Sequence, residues 1–171
     1  GLPGNATELT YQWYRVDSTG ETLIAGETAQ TYTPSKKDDV GKNIKVEVTA
    51  ANYSGSVTSA TTDTVEKADG PAMPTGLAEV SRTDTTITVT PNAAWEYSRD
   101  GGSTWQDSNV FTGLTANTTY SQIVARVKET GTHKASDLSP ALTVSTKGLT
   151  PDSETMKKLR ASHEPHTGEY D

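Results

Sequence analysis

Tyr11-Gln12-Trp13-Tyr14-Arg15 and Trp95-Glu96-Tyr97-Ser98-Arg99 open two copies of one pattern. The first runs on through a polar turn and Thr31-Tyr32-Thr33 to the alternating stretch Ile44-Lys45-Val46-Glu47-Val48. The second runs through a turn and Val110-Phe111-Thr112 to Ile123–Val127. Apolar residues at every second position mark half-buried strands. A repeat built from such short strands points to an all-β chain of two tandem β-sandwich domains. Ahead of the second copy stand two further alternating stretches, Leu77 to Ser81 and Thr85 to Thr90, with no counterpart before Tyr11. The first sandwich is therefore expected to lack its first strands. A sheet so stripped exposes core and a raw edge. Either the boundary of the chain cuts into a domain, or a second copy supplies the strands in a strand-exchanged dimer.

This reading divides the 171 residues into a first sandwich (1–67), a linker (68–75), a second sandwich (76–147) and a polar tail (148–171). Domains of roughly 70 residues are small for a self-sufficient core. Small exported β-domains often add disulfides, yet the chain has no cysteine, so each sandwich must hold by packing alone. The linker Ala68-Asp69-Gly70-Pro71-Ala72-Met73-Pro74-Thr75 carries two prolines. Proline fixes φ and donates no ladder hydrogen bond, which makes the segment short and semi-rigid. In the tail, Thr150-Pro151-Asp152-Ser153-Glu154 has the cap, proline and acids of a helix start. Met156, Leu159 and Arg160 extend it for about two turns, too few to be stable alone.

Net charge is −7, with no Lys/Arg cluster beyond a pair. A phosphate-tracking surface needs a basic stripe, so nucleic acid is excluded as a partner. No apolar run approaches the roughly 20 residues of a membrane span. One register irregularity is legible. Tyr120 should point inward at the start of its strand, and Ala125 and Val127 inward near its end; the odd spacing calls for a β-bulge around Ser121 to Val124.

With the strands placed, Tyr11-Gln12-Trp13-Tyr14-Arg15, Ile24-Ala25-Gly26, Thr31-Tyr32-Thr33, Asp39-Val40-Gly41-Lys42 and Val48-Thr49-Ala50-Ala51-Asn52-Tyr53-Ser54-Gly55 resemble the bacterial Ig-like repeats of Gram-positive surface proteins. Residues 76–147, with Gly113-Leu114-Thr115 before Thr119-Tyr120, resemble a fibronectin type III-like module of the same kind of protein. The resemblance implies an extracellular, cell-surface or cell-wall multidomain protein: an adhesin, a wall protein or a large modular glycosidase. It brings no catalytic residues, cofactor or metal. Its implied partners are neighbouring domains of the same parent chain, with host glycan or protein as a further class.

Several residues invite a sharper reading. Ser98-Arg99-Asp100-Gly101-Gly102-Ser103-Thr104-Trp105 fits the S-x-D-x-G-x-T-W pattern of the Asp-box hairpin found in sialidases. There the Asp organises the turn and the Trp packs beneath it. The arginine cluster and tyrosine nucleophile of sialidase chemistry have no room here, which leaves a structural role for Asp100 and Gly102. Trp105 and Tyr97 are the candidate ligand-binding residues, with Trp95, as an aromatic platform for a sugar ring; same-face aromatics also stack simply as cross-strand pairs. Trp13 and Trp95 occupy the strand where sandwiches bury a core Trp. Lys36-Lys37-Asp38-Asp39 offers too few oxygens for calcium and reads as a solvated crossover loop in which Asp39 ties a turn near Gly41. Glu164-Pro165-His166-Thr167-Gly168 resembles a degenerate sortase signal around Pro165, Thr167 and Gly168. No nucleophile elbow or cysteine suggests covalent catalysis. The expected function is a non-catalytic spacer and interaction segment of an exported bacterial protein. The alternative is a carbohydrate- or protein-binding module built around Trp105.

Overall fold

A computed structural model describes residues 2–150 and 153–163. Pro151 and the Pro165-Thr167-Gly168 sequence lie outside the described residues. Apart from one short α-helix and a 3-10 turn at Lys37–Asp39, the described residues are all-β, with three antiparallel sheets. By its internal contacts it divides into two units: residues up to Ala68 together with Thr130–His133, and the remainder.

In the first unit, β1 (Leu9–Asp17), β2 (Gly20–Leu23), β3 (Asn43–Ala50) and β4 (Ser56–Thr58) form a single sheet ordered β2-β1-β3-β4. Trp13 stands opposite Val46, Tyr11 opposite Val48 and Arg15 opposite Ile44. Residues directly opposite share a face, so Leu9, Tyr11, Trp13, Val46, Val48 and Val57 make one apolar face. Thr10, Gln12, Tyr14, Lys45, Glu47 and Thr49 make the polar one. Ile24 and Ile44 are the most deeply buried apolar residues, at 1% and 2% exposure.

Two stretches depart from regular strand pairing here. Thr31–Thr33 is not a strand; Tyr32 turns its ring towards Trp13, centroids 5.7 Å apart, and its hydroxyl to Asp39. The stretch Val57–Val65 pairs with the sheet only as far as Thr58. Beyond that point the main chain of Ser59 and Thr62 still donates to the carbonyls of Val46 and Ile44. The N–H groups of Val46 and Ile44 are accepted instead by the Ser59 and Thr62 hydroxyls, at 3.1 and 3.0 Å.

The second unit is a two-layer sandwich. One sheet is β5 (Glu79–Arg82), β6 (Ile87–Val89) and β8 (Val110–Phe111); the other is β7 (Trp95–Ser98), β9 (Thr119–Val127) and β10 (Leu142–Ser145). Ile87, Val89 and Phe111 from the first sheet meet Trp95, Tyr97, Ile123, Ala125 and Val144 from the second in one core. The register between β9 and β10 shifts between the pairs Tyr120↔Val144 and Ile123↔Leu142. The extra residue falls at Ser121–Gln122, where alternation required it, so that Tyr120, Ala125 and Val127 all face the core. The hydroxyl device recurs: Ser136 and Ser139 accept the N–H groups of Val127 and Ala125, at 2.8 and 3.0 Å. Gly70 passes so close to Ala135 that a Cβ would overlap its carbonyl, so this part of the linker tolerates no other side chain. The helix α1 (Glu154–His163) follows β10.

Tyr120 fixes the corner before β9. Its hydroxyl accepts the Thr115 N–H at 3.0 Å, and the intervening loop buries Leu114 at 5% exposure. This is the corner geometry by which sandwiches hold the entry to such a strand. Tyr120→Phe keeps the ring and removes the acceptor; it should lower the stability of the second unit by about 1–2 kcal/mol, measured by urea denaturation followed through backbone amides of β9.

Candidate functional site

Strand β7 and the hairpin after it carry several of the residues that the sequence singled out: Trp95, Tyr97, Asp100, Gly102 and Trp105. Asp100 organises that hairpin. Its Oδ1 accepts the Ser98 hydroxyl at 2.6 Å and the Thr104 N–H at 2.9 Å, and its Oδ2 accepts the Thr104 hydroxyl at 2.6 Å. These bonds, the Ser98 hydroxyl first, hold the Asp100 carboxyl well below the usual carboxylate range. Gly102 has φ +96° and donates to the Ser98 hydroxyl at 2.8 Å; a side chain there would be strained and would press on Trp105. All of this chemistry is spent on the turn.

The hairpin returns with Tyr97 and Gln106 exchanging backbone hydrogen bonds at 2.8 and 2.9 Å. Side chains alternate along a strand, so Trp105 points to the face opposite Tyr97. Tyr97 is thus corrected from a surface residue to a core one. It is wholly buried, its ring 6.4 Å from Trp95 in an edge contact. Its hydroxyl donates to the Thr90 carbonyl at 2.9 Å and accepts the Asn92 N–H at 2.7 Å, and burial raises its pKa. Trp95 is also core, at 9% exposure. The three-ring platform is therefore not assembled.

Trp105 is half-buried and has a partner that the sequence did not suggest. The Arg126 guanidinium lies over its ring at 4.0 Å, and Arg126 Nε donates to Glu96 Oε1 at 2.7 Å. Glu96 and Arg126 stand directly opposite on β7 and β9. A signal existed: both are the polar members of alternating strands. Only the pairing register, however, sets them 30 residues apart on one rung and beside Trp105. The cavity next to Trp105, lined by Tyr97, Ser98, Arg99, Thr104, Gln106, Phe111 and Thr112, measures about 160 Å³. Pockets that enclose small ligands typically run from about 300 Å³ upward.

In the first unit Asp39 is wholly buried, not the solvated loop residue expected. Arg15 Nε donates to Oδ1 at 2.8 Å; the Tyr32 hydroxyl and the N–H groups of Ser35 and Lys36 donate to Oδ2 at 2.7, 3.1 and 2.9 Å. Burial alone would raise the Asp39 pKa. Tyr32, the Lys36 N–H and Arg15 outweigh it and hold the group low. Burial beside Asp39 pushes the Tyr32 phenol up to about 12. Asp39 also ties the turn: the Lys42 N–H donates to its carbonyl at 3.0 Å, with Gly41 at φ +80° between. Trp13 is half-buried beside it and donates Nε1–H to the Ala29 carbonyl at 2.9 Å.

Asp39→Ala leaves Arg15 and two N–H groups without their acceptor and should cost the first unit about 3 kcal/mol, read by urea titration of its amides. Because the folded pKa of Asp39 lies below the ordinary value, its contribution is complete above about pH 4 and fades as pH falls through the folded pKa. The acid-induced loss of stability below pH 4 should therefore be smaller in the variant than in the wild type. In the second unit, Trp105→Ala removes a ring that packs under Arg126. It should destabilise the sandwich by about 2 kcal/mol, seen as a lower melting temperature.

No protein-family model matches the chain. It is similar to Exoglucanase B of Cellulomonas fimi, 32% identical over 140 residues, which covers 74% of this chain and 12% of the exoglucanase. The chain thus spans about an eighth of the length of that relative. The matched stretch is longer than either unit, so the similarity reaches into both.

Proposed function

We propose that this chain is a non-catalytic spacer segment of a secreted modular carbohydrate-active enzyme. An Ig-like sheet domain and a fibronectin type III-like sandwich would separate a catalytic domain from its neighbours. The similarity to a portion of an exoglucanase, 12% of its length, carries this reading. The chemistry of the candidate residues supports it. Asp39 and Asp100 have their oxygens committed to turns and neighbouring side chains. Tyr97 is inside, and the cavity beside Trp105 is too small to enclose a sugar. General acid–base or nucleophilic work on a glycoside needs two carboxyl groups facing a shared cleft, and neither of these carboxylates faces one.

One observation favours a second reading, a binding module. Trp105 and Arg126 together present an aromatic edge and guanidinium N–H groups at the surface, a combination able to contact a sugar ring or a peptide.

The spacer reading expects the isolated chain to release no reducing sugar from cellulose or cello-oligosaccharides. It also expects no measurable heat with cellohexaose and no depletion by crystalline cellulose. Turnover would overturn it in favour of an enzyme. Binding that is lost in Trp105→Ala with an unchanged melting temperature would overturn it in favour of the module.

A further inference from the structure

The turn between β5 and β6 is built without one of its own residues. The Thr83 hydroxyl accepts the N–H groups of Thr85 and Thr86 at 3.1 and 2.9 Å, and the Thr83 N–H donates to the Thr86 carbonyl at 2.9 Å. Outside the turn, the Lys147 and Leu114 N–H groups donate to the carbonyls of Thr83 and Thr85 at 2.8 and 2.9 Å. The Asp84 carboxylate takes no part in these bonds, yet Asp84 is only 6% exposed. Burying an acid is costly unless it is hydrogen-bonded. Its partner lies 71 residues away: the Thr155 hydroxyl, in the first turn of α1, donates to Asp84 Oδ2 at 2.7 Å.

The helix is short and mostly exposed among the described residues. Its ten residues fall short of the roughly 12–15 needed for marginal stability in isolation. Its apolar side is not packed away: Leu159 is 53% exposed, and every residue from Lys157 to His163 is exposed. Only Ser153, Thr155 and Met156 of the described side chains are partly covered. Ser153 supplies a local cap, its hydroxyl accepting the Met156 N–H at 3.2 Å. A carboxylate at a helix N-terminus also meets the positive end of the helix dipole.

We propose that Asp84 is a latch for the tail: a capping carboxylate, carried by the sandwich, that holds α1 folded and fastened to the β5–β6 turn by its first helical turn. Asp84 and Thr155 are both positioning residues with no role in the sandwich core. Lys147 is the charged side chain that lines the cavity of about 370 Å³ between the turn and the tail. The Thr155 hydroxyl first, then the N–H of Asp84 itself and the Thr155 N–H and Ser153 hydroxyl, outweigh burial and keep the Asp84 carboxyl below its ordinary range. Fastening is therefore complete above the ordinary carboxylate pKa and weakens as pH falls through the lower folded value.

Thr155→Val is nearly isosteric and lies outside the sandwich. It should raise the amide exchange of residues 157–160 about fivefold, the loss of one helix cap, with β9 protection unchanged. Asp84→Ala should do the same at neutral pH. In the wild type, helical 13Cα shifts of residues 154–163 should hold from pH 7 to about pH 4 and decline as the pH falls further. In Asp84→Ala they should already be low and flat. Unchanged exchange in both variants would overturn the latch. So would a loss of β9 protection in Asp84→Ala while Thr155→Val is silent, since that would make Asp84 a sandwich residue only.

Discussion

A strand that leaves a ladder strands the N–H groups of the neighbour it leaves, and a buried N–H without an acceptor costs about 1–3 kcal/mol. Both units meet this constraint in the same way. In the first, Ser59 and Thr62 receive the N–H groups of Val46 and Ile44; in the second, Ser136 and Ser139 receive those of Val127 and Ala125. Each of these four hydroxyls then donates to the carbonyl of the following residue. The chain beside β3 or β9 thereby departs from regular pairing while these four N–H groups keep acceptors. An edge interrupted in this way is also a poor template for another chain. Without cysteine to staple it, the fold closes its edges with side-chain oxygen.

The same substitution of side-chain oxygen for ladder recurs at the turns. Asp39, Asp100 and the Tyr120 hydroxyl each accept backbone N–H groups where the chain reverses. Two of the three turns place a glycine at positive φ beside the acceptor, Gly41 and Gly102. The carboxylates are strong acceptors because they are charged, and their lowered pKa values measure that use. Asp39 and Asp100, both singled out by the sequence, thus have their oxygens engaged in turns.

What was legible in the sequence is what depends on local periodicity. The alternation of Ile44, Val46 and Val48 gives β3, and the odd spacing from Tyr120 to Ala125 gives the bulge in β9. The Asp-box pattern gives the Asp100 turn. What was not legible depends on register between distant strands. Whether Trp105 shares a face with Tyr97 is decided by the pairing of Tyr97 with Gln106. That pairing sends Tyr97 inward and Trp105 outward. Arg126 reaches Trp105 only because β7 and β9 align it with Glu96. Asp39 looked solvated for the same reason: Arg15, which neutralises it, comes from a strand 24 residues earlier. Thr31–Thr33 has strand composition but no partner strand, and the pull of Asp39 on Tyr32 wins.

Register also separates the two aromatic positions that composition makes look alike. Trp13 and Trp95 both stand opposite a valine, Val46 on β3 and Val127 on β9. Trp95 is covered because β6 and β8 lay Ile87, Val89 and Phe111 over its sheet. Trp13 belongs to a unit with a single sheet among the described residues. Its cover is a loop, through the Ala29 carbonyl and the Tyr32 ring, and it is only half-buried. The difference lies in the layer above each tryptophan and not in the strand that carries it. The burial of an aromatic residue in such repeats is therefore a property of the pair of sheets, and a motif on one strand can predict the ring's direction but not its exposure.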